Sequence, residues 1–118
     1  MPLIIIKSSA RKIDQSNKDQ IHEQAESTLS RILNKSRDYV MSILEFEHEI
    51  SFGGDESAPS AYIEIKNVGN LAPEITESLS KEITALINRN LGVPKNRVYI
   101  EFQQSDRHMW GWDGSTFR

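Results

Sequence analysis

Two stretches of helical periodicity constrain the fold of this chain more than any other feature of its sequence. Each carries an apolar stripe along one face, with apolar residues three and four positions apart. The stripes are Ile21, Ala25, Leu29, Ile32 and Leu33 in the first stretch, and Ile75, Leu79, Ile83, Leu86, Ile87 and Leu91 in the second. Because a helix with one apolar face must bury that face, the rest of the chain has to provide an apolar surface for both helices.

The sequence also predicts where the two helices begin and end. Ser16 is the expected N-cap of the first helix, and Asp19 would lie in the first turn, where the helix dipole favours a negative charge. This helix should end near Asn34, because asparagine tolerates left-handed backbone. The second helix should begin at Asn70 or Leu71, with Pro73 in its first turn. It should end at Gly92, because Pro94 prevents its continuation.

Four runs rich in β-branched and aromatic residues surround the helices and are predicted to be strands. They are Leu3–Ile6, Val40–Glu47, Ala61–Lys66 and Arg97–Gln103. The order β-α-β is therefore repeated, at about residues 1–50 and 60–105 of a chain of 118 residues. We predict one α+β domain over residues 1–118, in which two β-α-β units form a four-stranded mixed sheet with two antiparallel helices on one face.

The outer face of the predicted sheet needs cover that the helices cannot provide. In the last strand, Val98, Ile100 and Phe102 alternate with bulkier or polar residues and would face the helices. The strands Leu3–Ile6 and Val40–Phe46 have no comparable polar face. Since a large exposed apolar surface is unusual in a monomer, we expect the chain to self-associate.

Composition and charge exclude several classes of function. The net charge of −3 provides neither a basic field for nucleic acid nor a polybasic patch for a membrane surface. The apolar run Leu3–Ile6 is too short to span a bilayer or to form the core of a signal peptide, so we expect a cytoplasmic protein. The chain has no cysteine, and His22, His48 and His108 lack ligand spacing, so no metal site is expected.

The opening residues Met1 and Pro2 allow two interpretations. Proline is tolerated at the first position of a strand, where its missing N–H disrupts no ladder hydrogen bond. Alternatively, removal of Met1 would leave Pro2 with a free secondary amine, which no side chain supplies. An ordinary α-amino group has a pKa near about 7.7–8.0, and burial or a neighbouring cation would lower it toward that of a general base at neutral pH. The dipeptide alone does not decide between the two.

Four segments in order along the chain resemble the macrophage migration inhibitory factor family of the tautomerase superfamily. They are the Met-Pro opening, Phe52–Gly54, Leu91–Ile100 and Gly111–Phe117. The register extends over the whole chain with only small shifts. The resemblance implies a homotrimer with active sites at the subunit boundaries, which agrees with the need to cover the outer sheet face. It also implies that Pro2 is the catalytic base.

The resemblance assigns further residues to the site. Lys35 would bind a substrate carboxylate and lower the pKa of the Pro2 amine, although a lysine is also favourable at any helix C-terminus. Lys66, Asn67 and Val68 match the pocket floor, where backbone groups near Val68 would hold the carboxylate. An aromatic rim that selects an aryl group would consist of Tyr39, Trp110, Trp112 and Phe117. Packing between subunits is the alternative role of the two tryptophans.

Tyr99 and Glu101 are expected on the strand face that points away from the helices. The resemblance places Tyr99 in the site of a neighbouring subunit, where its hydroxyl would hydrogen-bond the substrate; packing at the interface is the alternative. Glu101 departs from the family, whose best-known members have asparagine there. A carboxylate at this position would weaken binding of an acidic substrate and stabilise the protonated Pro2 amine; alternatively, it marks a different substrate. Lys66 is a cation that would offset Glu101, and a solvated lysine at a strand end is its alternative role.

Two functions from different classes follow from the sequence. The first is cofactor-independent keto–enol tautomerisation of a small α-keto acid, of phenylpyruvate or dopachrome type, with Pro2 as the base. The second is a cytokine-like or binding protein with a weak or vestigial tautomerase pocket, which Glu101 favours and which would require a receptor. The expected lack of a signal peptide does not separate them, because matched family members lack one too, which leaves leaderless secretion open.

Overall fold

The computed structural model describes residues 1–117, which contain a four-stranded sheet and two long helices. The strands are β1 (Pro2–Ser8), β2 (Met41–Glu45), β3 (Ala61–Val68) and β4 (Val98–Ser105), and the helices are α1 (Gln15–Leu33) and α2 (Pro73–Leu91). The strand order is β2-β1-β3-β4; β1 is parallel to β2, β3 is parallel to β4, and β1 is antiparallel to β3. The predicted α+β class and mixed sheet are confirmed.

The helices cover one face of the sheet and enclose the core. Alternate residues of β1 and β3 are buried, and among them Ile4 and Ile63 have no exposed surface. They pack with the apolar stripes of α1 and α2, as the periodicity predicts. Val98, Ile100 and Phe102 of β4 pack against the same core, so the predicted inward face of this strand is confirmed. Full burial of each isoleucine stabilises the fold by roughly 1.5–3 kcal/mol.

The N-terminus of α1 differs from the predicted one. Asp14, and not Ser16, is the N-cap, because its carboxylate accepts a hydrogen bond from the Asn17 N–H at 2.8 Å. The helix therefore starts earlier, and Asp19 lies beyond its first turn, which contains no acidic residue. The C-terminus is as predicted, since Asn34 adopts left-handed backbone with φ of 53°.

The ends of α2 follow the predicted signals more closely. Ala72 is the N-cap and makes no side-chain cap hydrogen bond, so the boundary lies just beyond the predicted Asn70 or Leu71. Pro73 occupies the start of the helix, where its missing N–H removes no intrahelical hydrogen bond. Gly92 closes the helix with φ of 67°, a conformation that favours glycine.

The strands differ in extent from the predicted runs. β2 is shorter than Val40–Glu47, whereas β3 and β4 continue beyond their predicted ends. The sequence predicts no strand in the C-terminal tail, but a short hairpin forms there from β5 (Gly111–Trp112) and β6 (Ser115–Thr116). Asp113 and Gly114 make its turn with φ of 52° and 77°. Such two-residue turns match the twist of the paired strands, and Asp-Gly is a favoured pair for them.

The outer face of the sheet is partly apolar and exposed. Met41 and Ile43 of β2 keep 61% and 37% of their surface accessible, and Tyr99 of β4 keeps 65%. The outward direction of Tyr99 agrees with the alternation predicted for β4. Self-association through this face stays a prediction, since the structure describes a single chain.

Candidate functional site

The N-terminus lies where two clefts meet at one end of the sheet. The cationic cleft, of about 520 Å³, is lined by residues that include Met1, Lys35, Val68, Arg107 and Phe117. The aromatic cleft, of about 230 Å³, is lined by residues that include Met1, Pro2, Tyr39, Trp110 and Trp112. Because Met1 lines both clefts, the start of the chain faces a charged surface and an aromatic surface at once.

Lys35 is held at the cationic cleft by the end of α1. After the left-handed Asn34, the Lys35 N–H donates to the Ser30 carbonyl at 3.0 Å, and the Ser30 hydroxyl donates to the Lys35 carbonyl at 2.6 Å. The side chain reaches the end of β3, where Nζ donates to the Val68 carbonyl oxygen at 3.5 Å. A cation is thus fixed at this edge of the sheet, at a helix C-terminus, where the helix dipole favours positive charge.

The N-terminal amine is perturbed by its surroundings. The Met1 carbonyl accepts a hydrogen bond from the Val68 N–H at 3.4 Å, which fixes the start of the chain beside β3. Partial burial lowers the pKa of the Met1 amino group, and the charge of Lys35 lowers it further, because both disfavour the protonated form. An amine at this position is therefore better suited to accept a proton at neutral pH than an exposed α-amino group.

Pro2 and Asn67 face each other across β1 and β3. They are directly paired in the antiparallel register, and both are buried. Their side chains lie on the helix-facing side, because the buried positions alternate along both strands and include these two residues. Asn67 Oδ1 has no hydrogen-bond partner among residues 1–117. The structure thus brings Asn67 next to Pro2, and Val68 next to Lys35.

Three of the four aromatic residues predicted for the rim contact one another. The rings of Tyr39 and Trp112 meet edge to face with centroids 5.5 Å apart, and those of Trp112 and Phe117 stack with centroids 6.3 Å apart. The Phe117 N–H donates to the Trp110 carbonyl at 3.2 Å, which joins the two residues that flank the C-terminal hairpin. The four residues line the two clefts at the N-terminus, Phe117 in the cationic cleft and the other three in the aromatic cleft.

Tyr99 and Glu101 lie far from Pro2 within one chain. The strand pairing places Pro2 level with Gln104, near the end of β4, whereas Tyr99 lies near its start. At about 3.3 Å per residue, the two levels are roughly 16 Å apart along the strand. Tyr99 instead packs on Phe52, with ring centroids 5.0 Å apart. A single chain therefore does not bring Tyr99 or Glu101 to the clefts.

Glu101 belongs to a polar cluster on the outer sheet face. The Tyr62 hydroxyl lies 3.2 Å from Glu64 Oε1 and 3.4 Å from Glu101 Oε1. Burial raises the pKa of Tyr62, and the two carboxylates raise it further because they disfavour a phenolate. Lys66 Nζ lies 3.7 Å from Glu64 Oε2. The cation at Lys66 therefore pairs with Glu64 and not with Glu101, for which the sequence interpretation proposed it.

The sequence interpretation missed Asp106 and Arg107, which line the cationic cleft. Both follow β4 directly, and Arg107 starts a short 3₁₀ helix, Arg107–Met109. The polar run after the last strand was the available signal. This run can be assigned to the site only once the topology is known, because the fold brings the end of β4 beside the end of α1, where Lys35 lies.

The described residues contain neither a cluster of metal ligands nor a membrane-spanning helix. Residues 1–117 contain no group of three or more His, Asp or Glu side chains that could hold a metal ion. No helix in that range is long and apolar enough to cross a membrane. Two histidines make polar contacts of their own, since His22 Nδ1 lies 2.6 Å from the Ser42 hydroxyl and His48 Nε2 lies 3.1 Å from Glu45 Oε1.

Comparisons with known proteins point to one family. The family model for macrophage migration inhibitory factor (MIF) matches residues 1–118. A macrophage migration inhibitory factor homolog of Trichinella spiralis is 33% identical over 89 residues, which cover 75% of this chain and 77% of the relative. The macrophage migration inhibitory factor of Xenopus laevis is 26% identical over 117 residues, 99% of each chain. A crystal structure of the homologue from Prochlorococcus marinus is 33% identical and superposes with a TM-score of 0.92 over 98% of this chain and 99% of that one. The chain therefore belongs to the macrophage migration inhibitory factor family of the tautomerase superfamily.

Proposed function

We propose that this protein is a cofactor-independent keto–enol tautomerase of phenylpyruvate or dopachrome type, with the Pro2 amine as its base. The observation that carries the proposal is the position of the N-terminus, where the cationic and aromatic clefts meet. Removal of Met1 would leave the Pro2 amine between the Lys35 ammonium and the aromatic rim. An α-keto acid with an aryl group needs these three features, which are a base, a cation for its carboxylate and an apolar surface for its ring.

In the proposed reaction, the neutral Pro2 amine takes a proton from the carbon next to the substrate carbonyl. The electron pair of that C–H bond forms the enol double bond, and the protonated Pro2 amine returns a proton to the carbonyl oxygen, which restores the neutral base. The reaction is an isomerisation, so no atom or electron is gained or lost. Lys35 and backbone groups near Val68 hold the carboxylate, at the place where the ammonium already lies 3.5 Å from a carbonyl oxygen.

We assign the active form to a homotrimer. Tyr99 and Glu101 lie on the outer sheet face, far from Pro2 of their own chain, so only a neighbouring copy can bring them to the clefts. Contact through this face would also bury the exposed Met41 and Ile43. In that arrangement the Tyr99 hydroxyl orients the polar end of the substrate, and Glu101 stabilises the protonated Pro2 amine.

Turnover of phenylpyruvate tests the proposed function. The chain that starts at Pro2 should accelerate the loss of the enol absorbance of phenylpyruvate well above the rate in buffer. The homotrimer is checked in parallel by light scattering on the same sample. A rate equal to that in buffer, with a folded protein whose N-terminus is Pro2, would overturn the proposal.

Replacement of the cation gives a first prediction. Lys35→Gln should lower kcat/KM for phenylpyruvate by about 10- to 100-fold, since a charge-assisted hydrogen bond contributes about 1.5–3 kcal/mol. The rate should rise with pH through the pKa of the amine, because the neutral form is the base. Lys35 lowers the pKa of the Met1 amine, and its positive charge should act in the same direction on the Pro2 amine. Its loss should therefore move the midpoint of this rise to higher pH.

Lys81→Gln, on an exposed turn of α2, is the matched control and should leave both kcat/KM and the pH midpoint unchanged. It removes the same charge at a position outside the two clefts. A Lys35→Gln variant with the kinetics and pH profile of the control would contradict the role assigned to Lys35.

A further inference from the structure

The buried side chain of Asn67 has a polar atom that is unsatisfied within the described residues and that the proposed function does not explain. Its side chain is only 2% exposed, and Oδ1 has no hydrogen-bond partner among residues 1–117. A buried carbonyl oxygen without a donor destabilises a fold, and most such groups in proteins are paired. The position lies on β3, between the buried Ile65 and Val68, where an apolar residue would avoid the problem.

Pro2 faces Asn67 across the two strands, and its nitrogen becomes a hydrogen-bond donor only when Met1 is absent. Pro2 is the direct partner of Asn67 in the antiparallel register of β1 and β3, and both side chains lie on the helix-facing side. Directly opposed residues in such a pair have Cβ atoms about 4.5–5.5 Å apart, within reach of a side-chain amide. With Met1 in place, the Pro2 nitrogen is an amide that carries no hydrogen. Removal of Met1 changes it to an amine that carries one N–H when neutral and two when protonated.

We propose that Asn67 Oδ1 accepts a hydrogen bond from the Pro2 amine once Met1 has been removed, and that Asn67 is thereby a positioning residue for this amine. The inference rests on the proposed function only in requiring a chain that starts at Pro2. The neutral amine has a single N–H and a single lone pair. When Asn67 holds the N–H, the lone pair points away from β3 and toward the clefts, where a substrate would lie.

The hydrogen bond also sets the protonation of the amine. Two N–H groups and a positive charge make the protonated form the better donor, so Asn67 raises the pKa of Pro2. It acts together with the other charged or titratable groups around the clefts. These groups are Lys35, Asp106 and Arg107 of the cationic cleft, Asp38 and Tyr39 of the aromatic cleft and, in the proposed trimer, Glu101 of a neighbouring copy. Asn67 therefore acts against Lys35 and burial, both of which lower the pKa of the Met1 amine and should lower that of Pro2.

The test combines Asn67→Leu with both forms of the N-terminus. In the chain that starts at Pro2, confirmed by mass spectrometry, the pKa of the amine is read from the ¹⁵N shift of labelled Pro2. Asn67→Leu should lower this pKa by about one unit, the size expected for loss of one hydrogen bond to a charged group. It should also lower the urea midpoint of this form. In the form that retains Met1, the same substitution should leave the urea midpoint unchanged or raise it, because the unpartnered oxygen is removed.

Two variants provide the controls. Asn67→Asp keeps an acceptor and adds a negative charge, so it should raise the pKa of Pro2 above that of the wild type. Ser60→Ala removes the other buried oxygen that has no partner among residues 1–117, at the far end of β3, and should leave this pKa unchanged. An unchanged Pro2 pKa in Asn67→Leu, or an equal change of urea midpoint in both N-terminal forms, overturns the inference.

These measurements use no substrate, so their outcome is separate from that of the proposed function. A protein with no tautomerase activity still reports whether Asn67 and Pro2 are coupled. Conversely, an active tautomerase in which Asn67→Leu leaves the Pro2 pKa unchanged retains the proposed function and loses only the role assigned to Asn67. In an active enzyme, the midpoint of the rate–pH profile should move with the pKa measured from the ¹⁵N shift.

Discussion

A chain that retains Met1 should tautomerise phenylpyruvate at least about 100-fold more slowly than the chain that starts at Pro2, because a positioned general base contributes about 10²- to 10⁴-fold. With Met1 in place, the Pro2 nitrogen is an amide and has no basic lone pair, and the remaining N-terminal amine, that of Met1, lies one residue before the position assigned to the base. Met1 also lines both clefts and so occupies part of the space that a substrate would need. Steady-state rates of the two forms, each with its N-terminal mass measured, provide the comparison.

Pro2→Gly separates the loss of the base from obstruction by Met1. After removal of Met1, this variant presents a primary amine on a more flexible residue, in clefts that Met1 no longer obstructs. Its rate should lie between those of the other two forms, since an amine remains but is less well positioned. Equal rates for the wild type, Pro2→Gly and the form that retains Met1 would show that Pro2 is not the base.

The helical faces could be predicted because periodicity records which side of a helix meets the core. Leu79, Ile83, Leu86 and Ile87 are all buried, as their spacing predicts. The start of α1 could not be predicted as well. Asp14 and Ser16 are both good N-caps, and the choice between them does not alter the apolar stripe. Local patterns therefore predict which face of an element is buried better than they predict its first residue.

The candidate site was less predictable because the topology assembles it. Lys35 and Val68 become neighbours only when α1 ends above the end of β3, and Pro2 meets Asn67 only through the antiparallel pairing of β1 and β3. Neither contact leaves a periodic signal in the sequence, so the resemblance to a family was needed to group these residues. Tyr99 is harder still, because its proposed role requires a second chain.

Arg97→Ala should lower the free energy of unfolding by about 3 kcal/mol, since the substitution leaves three partly buried backbone carbonyls without their charged donor. The sequence predicts Arg97 as the first residue of the last strand, but it ends a short 3₁₀ helix before β4 and is only 8% exposed. Its guanidinium donates to three backbone carbonyls of one loop, those of Asp55 at 2.7 Å, Ala58 at 3.0 Å and Pro59 at 3.1 Å. Urea unfolding of the variant and the wild type measures the difference.

Arg97→Lys and Asp55→Asn show which part of this interaction matters. A lysine keeps the charge, but its single ammonium cannot reach three carbonyls at once, so most of the loss should remain. Asp55→Asn should have a much smaller effect, because its carboxylate is half-exposed and lies 3.4 Å from Nη1 of Arg97.

The guanidinium of Arg97 also lies over the Phe52 ring, 5.5 Å from its centroid, and Phe52 packs on Tyr99. Loss of Arg97 should therefore loosen the support of Tyr99 and reduce turnover even at urea concentrations where the variant stays folded. If Arg97→Ala has the same free energy of unfolding as the wild type, the prediction is wrong, and water replaces the guanidinium at the three backbone carbonyls without loss of stability.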